Sequence, residues 1–121
     1  MNTNKIIEST DLPSVLQRYE SVLQDELTCI QGLSFSRSAY EDEKSRVVNE
    51  AIAAGEIDMK NADTRKQGEF KATDASAACY WLQYYVQVAQ SKLDQVQVQR
   101  KIIETEISLT KAWLYSQGGK A

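Results

Sequence analysis

Residues 81–114 read WLQYYVQVAQSKLDQVQVQRKIIETEISLTKAWL, with neither glycine nor proline. Leu82, Val86, Ala89, Leu93, Val96, Arg100, Ile103, Ile107, Thr110 and Leu114 recur at alternating steps of four and three. That is the seam of a helix packed along another helix, with two polar positions in it. No helix breaker interrupts the run from Ala75 to Gln117, and Gly118-Gly119 ends it. Thr73-Asp74 offers the capping oxygens for its start.

A second seam runs along the same helix through Trp81, Tyr84, Val88, Ser91, Gln95, Val98, Ile102, Glu106, Leu109 and Trp113. One partner helix covers one seam. Trp81, Tyr84, Val88, Val98, Ile102, Leu109 and Trp113 are therefore expected to form an interface with another protein or another copy. Large rings bury ~150–250 Å² each, so the two tryptophans weigh most.

Upstream, Thr10-Asp11-Leu12-Pro13 reads as a helix start, with proline where its missing N–H does no harm. A track follows through Leu16, Tyr19, Leu23, Glu26, Ile30, Leu33, Arg37, Tyr40, Lys44, Val47, Ala51 and Ala54. Arg37 and Lys44 are cations within it. In an antiparallel arrangement they lie across from Gln83–Gln90, where they would fix register. Gly55 is a natural left-handed stop. Gly32 either sits within one continuous helix or breaks it, in which case the chain folds back over the second seam.

The expected architecture is all-α. It has a flexible arm over 1–11, a helix over 12–54, a polar linker over 55–72, a helix over 73–117 and a disordered tail over 118–121. Each long helix would extend about 65 Å. The two form a coiled-coil-like antiparallel hairpin within one domain. A homo-oligomer, a dimer making a four-helix bundle in the simplest case, would cover the second seam. Within the linker, Asn61 or Asp63 would cap a short turn. Arg65 would hold the last carbonyls of the first helix or a nearby carboxylate.

Composition narrows the chemistry. The chain has 121 residues, 42% hydrophobic and 26% charged, with net charge −3 and no histidine. Catalytic triads, HExxH zinc sites and Glu-x-x-His di-metal sites are thereby excluded in their usual forms. No phosphate-binding glycine motif is present. Cys29 and Cys79 lie outside any CxxC pattern and read as apolar fillers in a reduced compartment. Glu41-Asp42-Glu43 point in different directions on a helix and read as a solvated face rather than a metal site. No acid–base pair or nucleophile stands out, so an enzyme is not expected, nor a cofactor. With neither a long apolar run nor a signal-like N-terminus, a soluble cytoplasmic protein is expected.

Two other functions compete with protein binding. Lys60, Arg65, Lys66 and Lys71 stand near Phe70 and the aromatic run at 80–85, and would contact nucleic acid in a replication or recombination accessory protein. A pocket near Tyr84-Tyr85 would hold a small ligand such as a nucleotide.

The segment Val48-Asn49-Glu50-Ala51-Ile52-Ala53-Ala54-Gly55-Glu56-Ile57, followed by Lys60-Asn61-Ala62-Asp63-Thr64-Arg65, resembles a family of small helical phage and prophage proteins. In that family an amphipathic helix ends in a Gly-x-Ile turn, and a Lys-Asn-Ala-x-x-Arg stretch and a long charged helix follow. The likeness covers about residues 44–114. It departs at Met59, where glycine is usual, and in the aromatic run. It implies a fold and a phage-type genomic setting, gives Asn61 and Arg65 weight at the turn, and implies no mechanism.

Overall fold

The computed structural model describes residues 11–118. Residues 1–10 of the expected 1–11 arm and residues 119–121 of the expected 118–121 tail lie outside the described residues, while Asp11 and Gly118 lie within them. The described residues form three helices: α1 (Leu12–Ala53), α2 (Ala62–Asp74) and α3 (Ala77–Gly118). There is no strand among them. The two long helices pack against each other as an antiparallel hairpin. By its own contacts the chain divides into two compact units, 11–30 with 92–118 and Gln31–Ser91.

Each boundary has a local cause. Asp11 Oδ1 accepts a hydrogen bond from the Ser14 backbone N–H at 2.7 Å and caps α1. Gly32 lies within α1, and a Cβ placed there would meet nothing within 4 Å. The helix therefore does not break and fold back at this glycine. At the far end Gly55 adopts φ +73°. Its N–H donates to the Ile52 carbonyl at 3.0 Å, and the Glu56 N–H donates to the Ala51 carbonyl at 2.9 Å. These two bonds are a Schellman motif, which satisfies carbonyls that the last turn would otherwise leave open.

The stretch expected as a polar linker contains a three-turn helix. Asn61 Oδ1 accepts from the Thr64 N–H at 2.9 Å, and α2 then runs 13 residues. It buries none of them, which is why apolar periodicity does not reveal it. Its placement depends on Gly68: a Cβ there would come within 2.9 Å of Ile57 Cγ2, and Ile57 is itself buried. The start of α3 also differs from expectation. Thr73 and Asp74 belong to α2, and Ser76 takes the capping role, its Oγ accepting from the Cys79 N–H at 3.2 Å.

In the unit 11–30 with 92–118, α1 packs through Val15, Tyr19, Val22, Glu26 and Cys29. The α3 side of the seam is Leu93, Val96, Arg100, Ile103, Ile107 and Thr110. Val15 is 0% exposed and Thr110 is 4%. Arg100 Nε donates to Glu26 at 2.5 Å and Arg100 Nη1 to Glu104 at 2.8 Å. Arg18 reaches Glu106 at 2.6 Å. The numbers in these cross-helix pairs rise on α1 as they fall on α3, which is the antiparallel sense.

The α1 seam thus differs from the expected track at alternate positions. Val15, Val22 and Cys29 face α3, while Leu16, Leu23 and Ile30 stand 43%, 42% and 44% exposed. The smaller residues sit between the helices and the larger ones flank them. In the unit Gln31–Ser91, Leu33, Ala51, Ile57 and Cys79 are buried, with Tyr40, Val47, Leu82 and Val86 half-buried. There Arg37 Nη2 donates to Gln90 Oε1 at 3.0 Å, and Gln90 ends the stretch across from which Arg37 is expected to lie.

Candidate interaction surface

The buried apolar set among the described residues has seven members, whereas seventeen large hydrophobic side chains are exposed. A hairpin has only one internal seam, so most of its apolar area stays outside. Where that area lies decides what it can do.

In the unit 11–30 with 92–118 it forms two stripes. The first, on α1, comprises Leu16, Leu23, Leu27 and Ile30. The second, on α3, comprises Val98, Ile102 and Leu109, with Trp113 half-buried beside them. Successive helical residues are about 100° apart. Leu16, Leu23 and Ile30 each follow a packed residue, so they lie on one flank of α1. Arg18 precedes the packed Tyr19 and lies on the other flank. Glu106 precedes the packed Ile107 on α3, and it meets Arg18. The Arg18 and Glu106 flanks therefore share one side of the helix pair. Ile102 and Leu109, four before and three after Glu106, project to that same side. The leucines of α1 point to the opposite side. The two stripes back onto each other across the hairpin.

The remaining expected interface residues lie in the unit Gln31–Ser91. Trp81 is 55% exposed and Tyr84 48% exposed. They meet edge to face with centroids 6.0 Å apart, and Tyr80 packs on Trp81 in the same way at 5.6 Å. Tyr85 leans on Tyr84 at 6.0 Å. These rings form a ladder on the outside of α3, with Val88 half-buried beyond it. Edge-to-face pairing favours one arrangement of each ring while leaving its apolar area available.

The linker cations do not converge. Lys60, Arg65, Lys66 and Lys71 are all exposed. Arg65, Lys66 and Lys71 point in three directions around α2, each at least about 100° from the next. Lys66 lines a cavity with Phe70, and Lys71 lines a different one beside Ile57. The Arg65 side chain makes no hydrogen bond or ion pair with another described residue. It holds neither the α1 carbonyls nor a carboxylate, because α2 turns it to solvent. Tyr84 and Tyr85 line neither of these cavities.

Three charged groups, Glu43, Arg46 and Arg100, carry perturbed protonation, and Arg46 is held further on the charged side by its bond to Glu43. In the acidic run at 41–43, Glu43 is half-buried, and Arg46 bonds it at 2.5 Å and Glu50 at 2.6 Å. The Arg46 hydrogen bond holds the Glu43 carboxyl below its ordinary 4.5, against the opposing effect of burial. Arg100 is held further on the charged side, first by its bond to Glu26. No described group of three or more acidic or cysteine side chains is placed to hold a metal ion. No described helix is long and apolar enough to cross a membrane. In comparisons with known proteins, no family model, curated sequence or solved structure matches this chain.

Proposed function

We propose that this chain is a non-enzymatic helical assembly protein, which binds further copies of itself through its exposed helix faces. The observation that carries this is the pair of apolar stripes backing onto each other across α1 and α3. Such stripes gain about 25 cal/mol for each Å² of apolar surface taken from water, and an isolated hairpin leaves that gain unrealised. A twofold dimer joined through α3 alone would close a four-helix bundle but leave Leu16, Leu23, Leu27 and Ile30 in water. Seating a copy on each side covers both, so assembly proceeds beyond a single pair.

Paired substitutions test the reading. Leu23→Gln with Leu27→Gln removes one stripe, and Ile102→Gln with Leu109→Gln removes the other. All four sites are already exposed, so helicity should persist. Each pair should lower the solution mass without abolishing association, and the four together should give a monomer. A mass that none of the variants changes would refute the proposal.

A further inference from the structure

A cavity of about 260 Å³ opens within the unit Gln31–Ser91, where α2 lies beside the hairpin. Its α2 wall is formed by Lys66, Glu69, Phe70 and Thr73, the i, i+3, i+4, i+7 face of that helix, with Asp74 at the end. Tyr40 and Lys44 of α1 and Tyr80 of α3 stand opposite.

Three features of this cavity bear on what it can bind. First, its charges are not paired. Lys44, Lys66, Glu69 and Asp74 share one cavity, yet none of the four makes an ion pair with another described residue. Second, α2 buries no residue of its own. A helix in that position gains little by packing, and the face it turns to the cavity is charged and aromatic. Third, rings at the wall remain open, with Phe70 73% exposed and Tyr80 65% exposed.

We infer that this cavity binds a small zwitterion with an aromatic group, of the class of a free aromatic α-amino acid. Two ammonium groups and two carboxylates give a wall of zero net charge, with groups of both signs facing one cavity. A phosphate or other simple anion would use the lysines but face Glu69 and Asp74. A simple amine would meet the reverse conflict. A dipolar ligand places its carboxylate toward Lys44 and Lys66, its ammonium toward Glu69 and Asp74, and its ring against Phe70 and Tyr80. At about 260 Å³ the cavity falls just below the ~300–1,000 Å³ of drug-sized ligand pockets, which suits a smaller ligand. The bound ligand supplies the burial that α2 lacks, so occupancy stabilises α2 on the hairpin.

Calorimetric titration of the full chain with L-phenylalanine tests this, with phenethylamine, 3-phenylpropionate and inorganic phosphate as comparison probes. L-Phenylalanine should bind, and each probe that lacks one pole should bind at least about tenfold more weakly, a difference of ~1.4 kcal/mol. Lys66→Gln and Glu69→Gln should each weaken L-phenylalanine by a similar factor. Both side chains are unpaired, so circular dichroism should show unchanged folding. No heat with L-phenylalanine at millimolar concentration would overturn the inference. So would equal binding of the one-pole probes, phosphate binding more tightly than the amino acid, or variants that bind normally. None of these results bears on the self-association proposed above, whose residues lie in the other unit.

Discussion

Adding one methyl group to a glycine of this chain should have opposite effects at two sites. Gly32 lies inside α1, and its Cβ position is open space. Gly32→Ala therefore adds no clash. It removes the backbone entropy that an interior helical glycine loses on folding, worth ~1 kcal/mol. Gly55 has the same open space, with no atom within 4 Å of where a Cβ would sit, but its φ is +73°. There Ala must enter the left-handed region, which costs roughly 1–2 kcal/mol, or abandon the Schellman bonds to Ile52 and Ala51. The two variants differ by ~2–3 kcal/mol although they add the same atoms in equally open surroundings. At about 4 °C per kcal/mol for a domain of this size, their melting temperatures should separate by about 10 °C, Gly32→Ala above wild type and Gly55→Ala below. Thermal circular dichroism at one fixed protein concentration reads this directly, since association also shifts the midpoint. A Gly32→Ala protein that melts below wild type would refute the continuous α1, because it would mean that the chain turns at that residue.

Three further outcomes follow from the packing. Gly68→Ala should destabilise by ~1–3 kcal/mol, because its Cβ would sit 2.9 Å from buried Ile57; hydrogen exchange should show the loss concentrated in α2. Arg18→Ala, which breaks an exposed ion pair, should cost less than about 1 kcal/mol and lose its effect in high salt. Glu26→Gln should lower the urea midpoint further than Arg18→Ala does, because Glu26 is only 16% exposed and its bond to Arg100 is better shielded. The lowered pKa of Glu43 means that its pairing with Arg46 stabilises the fold above the ordinary value of 4.5, and that this stability is lost as pH falls through the lowered value. The melting temperature of Glu43→Gln should consequently depend less steeply on pH in the acid range than that of wild type.

Several elements can be read from residues alone because their causes are local. Gly55 stops α1 through its own φ, and Asn61 caps α2 through a side chain three residues from the amide it serves. The heptad seam of α3 is visible because its four-and-three spacing runs unbroken from Leu82 to Leu114. On α1 the phase is ambiguous: Val15-Leu16 and Val22-Leu23 are neighbouring apolar pairs, and Cys29-Ile30 is another. Either member of each pair completes a helical track. Which one faces α3 depends on the cross-helix fit and on where Arg18 and Arg100 find carboxylates, and both are properties of two helices together. The stripe on α1 is hidden from sequence for the same reason, since the period alone assigns its leucines to the seam. The helix α2 leaves no apolar signal because it buries nothing, and the role of Gly68 exists only once Ile57 is in position. The cavity draws its walls from three helices, so no single segment announces it.

Sedimentation equilibrium of the full chain over a range of concentrations reads whether the apolar stripes bring copies of this chain together. The expected result is a mass that rises with concentration to more than twice the 13.6 kDa of one chain. A single species at 13.6 kDa across the whole range would contradict it.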